Sequence, residues 1–119
     1  MYKRILLAID GSEHSKKATD HAIALAKESS ALVDIIHVYP SLDNHRVLYY
    51  PNEIKKDYLE AAKKVISGTA EKLAAAGIQH HTILKQGDAA DVICNEAKEN
   101  GNDLIVMGSN GLGGFAHTL

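Results

Sequence analysis

Two short segments of this chain hold residues able to do binding chemistry: Asp10-Gly11-Ser12 and Gly108-Ser109-Asn110-Gly111-Leu112-Gly113-Gly114. Each follows an apolar run that reads as a buried strand. In the second segment, four glycines in seven residues let backbone N–H groups approach an anion closely, and a helix following them would aim the positive end of its dipole at that anion. Such a loop is a phosphate cradle, although an ordinary left-handed turn at a helix start would use the same glycines. Asp10 would repel a phosphate that it faced directly. The jobs left to it are to hydrogen-bond a sugar or base donor, to help hold a divalent cation, or to cap the next helix with Ser12 and Ser15.

Other chemistries lack their residues. His14, His21, His37, His45, His80, His81 and His117 show no His-Glu-x-x-His or comparable metal-ligand spacing, so packed or solvated histidines are expected. Cys94 is the single cysteine; it has no partner for an intramolecular disulfide and is expected to pack quietly in mid-helix, where burial would raise its pKa. No Ser-His-Asp or Cys-His set is identifiable. Gly111-Leu112-Gly113-Gly114-Phe115-Ala116 matches a dinucleotide fingerprint, but at the wrong end of the chain and without the acidic residue about 20 positions on. The Walker A loop fails for want of Gly-Lys followed by Ser or Thr.

The elements that must position these loops follow from periodicity. Ile5-Leu6-Leu7-Ala8-Ile9 is continuously apolar, as in a strand buried on both faces of a parallel sheet. Ala18, Ala22, Leu25 and Ala26 fall at helical spacing between Ser15 and Ser29, with Lys16, Lys17, Asp20 and Lys27 opposite. A second strand runs from Ala31 to Tyr39 and stops at Pro40. Ile54, Tyr58, Ala61, Val65, Thr69 and Leu73 mark the inner face of a long helix that ends near Gly77, with Glu60 and Lys64 spaced for an ion pair. A more polar third strand spans Ile78 to Lys85. Asp88 caps a helix over Ala90, Ile93, Cys94 and Ala97, and Asp103 to Met107 forms a fourth strand.

Strands alternating with helices imply right-handed parallel βαβ units. The expected fold is α/β: an open parallel sheet sandwiched by helices, flavodoxin/Rossmann-like, with strands one and four adjacent and their two loops facing one crevice. The 119 residues fit a single domain over 1–119. Thirteen basic against fifteen acidic side chains give no broad positive field, which argues against nucleic-acid binding. No apolar run approaches the roughly 20 residues of a membrane span, and the N-terminus lacks a signal sequence. A cytoplasmic protein is expected.

In its motifs the chain resembles the universal stress protein family. The likeness rests on Leu7-Ala8-Ile9-Asp10-Gly11-Ser12, on His37-Val38 ending the second strand, on Gly87-Asp88-Ala89-Ala90, and on Asp103-Leu104-Ile105-Val106-Met107-Gly108-Ser109-Asn110-Gly111. It runs from Tyr2 to Leu119 and implies the adenine nucleotide alpha hydrolase-like variant of the fold. Family members that bind ATP carry two glycines three apart, nine residues, then Gly-Ser or Gly-Thr. Gly108 and Gly111 match the first half; the next glycine would fall at position 121, past Leu119. Asn110 stands where Arg or His is common. The resemblance implies that Ala8, Ile9 and Asp10 flank the adenosine and that the Val38 backbone reads the adenine edge. It further implies that Met107 and Gly108 line the ribose side, while Ser109, Asn110 and Gly111 begin the phosphate loop.

The expected function is regulatory binding of ATP, an adenine nucleotide, in the stress response, with little or no chemistry. The alternatives are a nucleotide-free dimeric interaction module, and a slow ATPase in which Asp10 holds Mg2+. Two further expectations concern the surface. The connection from Pro40 to Asn52, bearing Tyr49 and Tyr50, has the length of a lid or partner surface. The resemblance also implies a homodimer formed through a final edge strand after a fourth helix. With the chain ending at Leu119, that helix and strand are expected to be incomplete and strand four to be a bare sheet edge.

Overall fold

The computed structural model describes residues 1–40, 52–108 and 115–118. Strands β1 (Arg4–Ala8), β2 (Leu32–Tyr39), β3 (His80–Gln86) and β4 (Leu104–Met107) are parallel, and β5 (Phe115–Thr118) runs antiparallel to β4. Helices α1 (Glu13–Ser29), α2 (Asn52–Ala75) and α3 (Ala89–Asn100) connect the parallel strands. The sheet order is β3-β2-β1-β4-β5. Strand order therefore reverses between β1 and β4, as the α/β reading requires.

Alternation along the central strands sorts side chains onto two faces. Ile5, Leu7, Ile9, Val33 and Ile35 meet α1 and α2 on one face. Leu6, Ala8, Ile36 and Ile105 meet Ile93 and Ala97 of α3 on the other. The inner stripe of α1 is Ala18, Ala22 and Ala26, all buried, and side chains this small let the helix lie close to the sheet. The more polar sequence of β3 is explained by its place at the sheet edge.

Helix α2 departs from its expected face. Ala62, Ile66 and Leu73 are its buried side chains, whereas Ile54 and Tyr58 are exposed and Val65 and Thr69 stand half-buried. The apolar stripe read from spacing lies on the flank of the helix, not at its centre. Glu60 pairs with Lys63 at 3.7 Å, one position short of the anticipated Lys64. The end of the helix does conform: Gly77 takes φ +74, and the N–H of Ile78 returns to the Leu73 carbonyl at 3.0 Å.

Three other expectations are corrected. Cys94 is exposed, as is Ala90; Glu96 takes the inward position instead and binds Lys85 at 2.5 Å. Strand β4 is not a bare edge, because β5 pairs with it from Met107↔Phe115 to Leu104↔Thr118. A strand, and no helix, follows β4 among the described residues. The tyrosine-bearing connection after Pro40 lies outside the described residues.

At the opposite edge from the strand-end loops, a polar cluster missed in the sequence binds four segments together. Asp34 is 1% exposed and accepts from Arg4 Nε at 2.6 Å, Arg4 Nη2 at 3.2 Å and Asn102 Nδ2 at 2.9 Å. His81 Nδ1 stands 3.5 Å from its other side. Asn102 Oδ1 is buried without a partner; turning the amide over would set that oxygen against the Asp34 carboxylate, so the orphan acceptor is the lesser cost. Asp103 accepts the backbone N–H groups of Lys3 and Arg4 and so fixes the start of β1.

Candidate functional site

A cavity of about 340 Å³ opens at the carboxyl ends of β1, β2 and β4. This is the point where strand order reverses, the usual ligand position in open α/β sheets. Ala8, Ile9, Asp10, Val38, Met107 and Gly108 all line it. Ile36, Ala89 and Ile93 line it too, and these were not anticipated. The signal for Ile36 was available, since it lies two positions before Val38 on the same face of β2. Ala89 and Ile93 are one helical turn apart on α3. Ser109, Asn110 and Gly111 lie outside the described residues.

Asp10 gives the cavity its charge. Its Oδ1 accepts the Ser12 N–H at 2.9 Å and the Ser15 hydroxyl at 2.5 Å, while its own N–H donates to Ser15 Oγ at 2.7 Å. Partial burial is the largest single influence on this carboxyl and pushes its pKa up; the hydrogen bonds from Ser12 and Ser15 together outweigh it and hold the group below the usual carboxylate range. Asp10 is therefore an anion that braces the turn into α1. The cap of α1 is Ser12, which accepts from the Ser15 N–H at 3.3 Å.

The strand ends are held rigidly around it. Ile9 N–H donates to the Ile36 carbonyl at 3.0 Å, and Gly87 N–H to the Tyr39 carbonyl at 3.1 Å. The buried ring of His37 lies 2.7 Å through Nδ1 from the Ile9 carbonyl. A carbonyl only accepts, so Nδ1 carries the proton. Asp88 caps α3, accepting from Asp91 N–H at 3.1 Å, and brings that helix N-terminus and Ala89 to the cavity mouth.

Gly108 is required by packing before any ligand is considered. A Cβ there would stand 2.2 Å from the His14 carbonyl oxygen, so the end of β4 runs directly against the first turn of α1. Among the described residues, no group of three or more His, Cys, Asp or Glu is placed to hold a metal ion, and no helix is long and apolar enough to cross a membrane.

Comparison with known proteins agrees with this fold. The profile of the Universal stress protein family matches residues 1–119. Universal stress protein YxiE of Bacillus subtilis is 38% identical over 128 residues, an alignment covering 100% of this chain and 86% of that protein. The crystal structure of a universal stress protein family member from Burkholderia pseudomallei superposes with a TM-score of 0.79 at 28% identity, covering 92% of this chain and 83% of that one. A family protein from Arabidopsis thaliana, solved with AMP bound, shares the fold with a TM-score of 0.72 at 20% identity, covering 93% of this chain and 79% of that one.

Proposed function

This chain belongs to the universal stress protein family, and on that footing we propose that it binds an adenine nucleotide, ATP first among them, in the cavity beside Asp10 as a regulatory ligand. The observation that carries the reading is the convergence of Ala8, Ile9, Asp10, Val38, Met107 and Gly108 on one cavity at the strand-order reversal. Its walls are apolar side chains suited to a purine face, and its size falls within the roughly 300–1,000 Å³ of small-molecule sites. In this reading the Asp10 carboxylate accepts from a ribose hydroxyl, and the backbone of Val38 reads the base edge. Ser109, Asn110 and Gly111 would carry the phosphates. The AMP held by the Arabidopsis protein of the same fold supports the choice of ligand class.

Regulation fits better than turnover because Asp10 is the one titratable side chain among the described residues that line the cavity. A divalent ion accompanying the phosphates would find one carboxylate here and take its other ligands from phosphate and water, which suits Mg2+. That ion would neutralise phosphate charge.

Titration calorimetry with ATP and with AMP tests the proposal. Ala89 is exposed at the first turn of α3, so Ala89→Leu is tolerated by the fold while reaching over the cavity mouth. It should weaken nucleotide binding about tenfold or more. No binding of either nucleotide at millimolar concentration by the unmodified chain would overturn the reading and favour the nucleotide-free interaction module.

A further inference from the structure

The seam between α1 and α2, on the sheet face opposite α3, holds a larger cavity of about 470 Å³. Val65 and Gly68 form its α2 wall and Thr19 part of its α1 wall. Gly68 has no neighbouring atom within 4 Å of where a Cβ would stand, so the trough is open above it. The charged side chains that line it, Lys16, Lys64 and Lys72, are all basic. Their acidic neighbours Glu13, 2.9 Å from Lys16, and Asp20, 2.7 Å from Lys72, do not line the cavity.

The apolar face of α2 continues past the cavity, beyond the start of α1, which lies beside Val65. Ile54, Tyr58, Val65 and Lys72 occupy one face of α2, at multiples of the helical repeat, and the first two are exposed apolar side chains. From Ile54 to Lys72 this face runs about 27 Å at 1.5 Å per residue. A small ligand would fill only the cavity. A helix of about five turns, laid along α2 with one end between α1 and α2, would cover the whole stripe and present its flanks to the lysines.

We propose that the α1–α2 seam is a docking groove for an amphipathic helix of a partner protein, apolar on its inner face and acidic on its flanks. The apolar face would lie on Ile54, Tyr58 and Val65, with one side chain reaching down to Gly68. Partner carboxylates would replace Glu13 and Asp20 on Lys16 and Lys72, an exchange that costs little because those pairs are exposed. The groove lies apart from the nucleotide cavity, and the proposal stands without it.

The test uses a fluorescein-labelled 18-residue peptide with a leucine stripe flanked by glutamates, and the same peptide with lysine at each glutamate. Fluorescence anisotropy should show the acidic peptide binding at least tenfold more tightly than the basic one. Gly68→Leu, which fills the trough, and Lys64→Glu with Lys72→Glu, which reverses its rim, should each weaken the acidic peptide tenfold or more with the melting temperature kept. Equal binding of the two peptides would overturn the proposal, as would Gly68→Leu or the lysine variant binding like the unmodified chain. Sedimentation showing a dimer that Gly68→Leu dissociates would also overturn it, by assigning the groove to a second copy.

Discussion

The carboxylate of Asp10 and the hydroxyl of Ser15 hold each other at 2.5 Å, and they belong to different cavities: Asp10 lines the one at the strand ends, Ser15 the one between α1 and α2. Hydrogen bonding between these two residues thus joins the proposed nucleotide site to the first turn of α1. Ser15 is buried and also accepts the Asp10 N–H, so neither partner can shift without the other.

Asp10→Asn should separate ligand binding from bracing. An asparagine Oδ1 still accepts from Ser12 N–H and Ser15 Oγ, so the apo protein should lose no more than about 1 kcal/mol. Nucleotide affinity should fall because the amide is a weaker acceptor for a ribose hydroxyl and carries no charge for a cation. Calorimetry and a thermal melt on one preparation decide it. Unchanged affinity with a lower melting temperature would leave Asp10 only its place in the turn.

Gly108→Ala should lower stability by roughly 1–3 kcal/mol, the scale of overpacking, because the new Cβ meets the His14 backbone rather than a yielding side chain. The loss should appear in a thermal melt without nucleotide. An apo melting temperature equal to that of the parent chain would show that β4 and α1 can part freely. Substitution at Gly108 therefore cannot by itself identify a phosphate contact, and Ala89→Leu is the cleaner probe.

Cys94 should react with Ellman's reagent in the native protein, releasing one equivalent at a rate within about tenfold of the unfolded chain, since exposure gives the reagent access to the thiol. Protection until denaturation would place the outer face of α3 against another surface. The sequence suggested burial because Cys94 follows Ile93 in an apolar-spaced run. Glu96 defeats that reading: its ion pair with Lys85 satisfies an inward carboxylate and turns the helix so that Cys94 faces water.

The same kind of competition explains what else was legible. Continuous apolar runs marked β1, β2 and β4 well because strands buried on both faces have one way to read, and that alone set the parallel order and brought Asp10, Val38 and Met107 to one edge. Helix α2 was misread because Ile54 and Tyr58 share a face with Val65, and spacing alone does not say whether an apolar stripe meets the sheet or the solvent. Asp34 went unnoticed because its partners Arg4, His81 and Asn102 come from distant parts of the chain. The pairing of β5 with β4 is likewise a tertiary outcome, for Phe115-Ala116-His117-Thr118 has no strand period of its own.

Gly68→Ala should stabilise the chain by about 0.5–1 kcal/mol. Gly68 sits in mid-helix, its conformation needs no left-handed backbone, and a methyl group there meets nothing within 4 Å. A denaturant melt with unchanged slope and a higher midpoint is expected. A lower midpoint would mean that the α1–α2 seam is tighter in solution than its geometry shows.

Asp34 should carry the largest single polar contribution to stability, and its pH signature has a definite sign. Burial, the largest influence on the carboxyl, pushes its pKa up; the Arg4 guanidinium and the Asn102 amide, with the nearby His81, outweigh burial and hold it below the ordinary value of 3.8. A carboxyl whose pKa is lower folded than unfolded contributes its full stabilisation above the unfolded value and loses it as pH falls through the folded one. The contribution is thus intact at neutral pH and begins to fall in acid below about pH 4. Asp34→Asn keeps the shape but removes the charge, and at pH 7 it should cost roughly 2–4 kcal/mol, less than a fully enclosed pair because Arg4 is 33% exposed and can turn to water. As pH falls below the ordinary carboxylate value the gap between parent and variant should narrow, since protonation does to Asp34 what the substitution does. Thermal melts from pH 7 down to pH 2.5 check this, and a gap that stays constant across the range would show that the cluster is held by shape and hydrogen bonding rather than by the charge on Asp34.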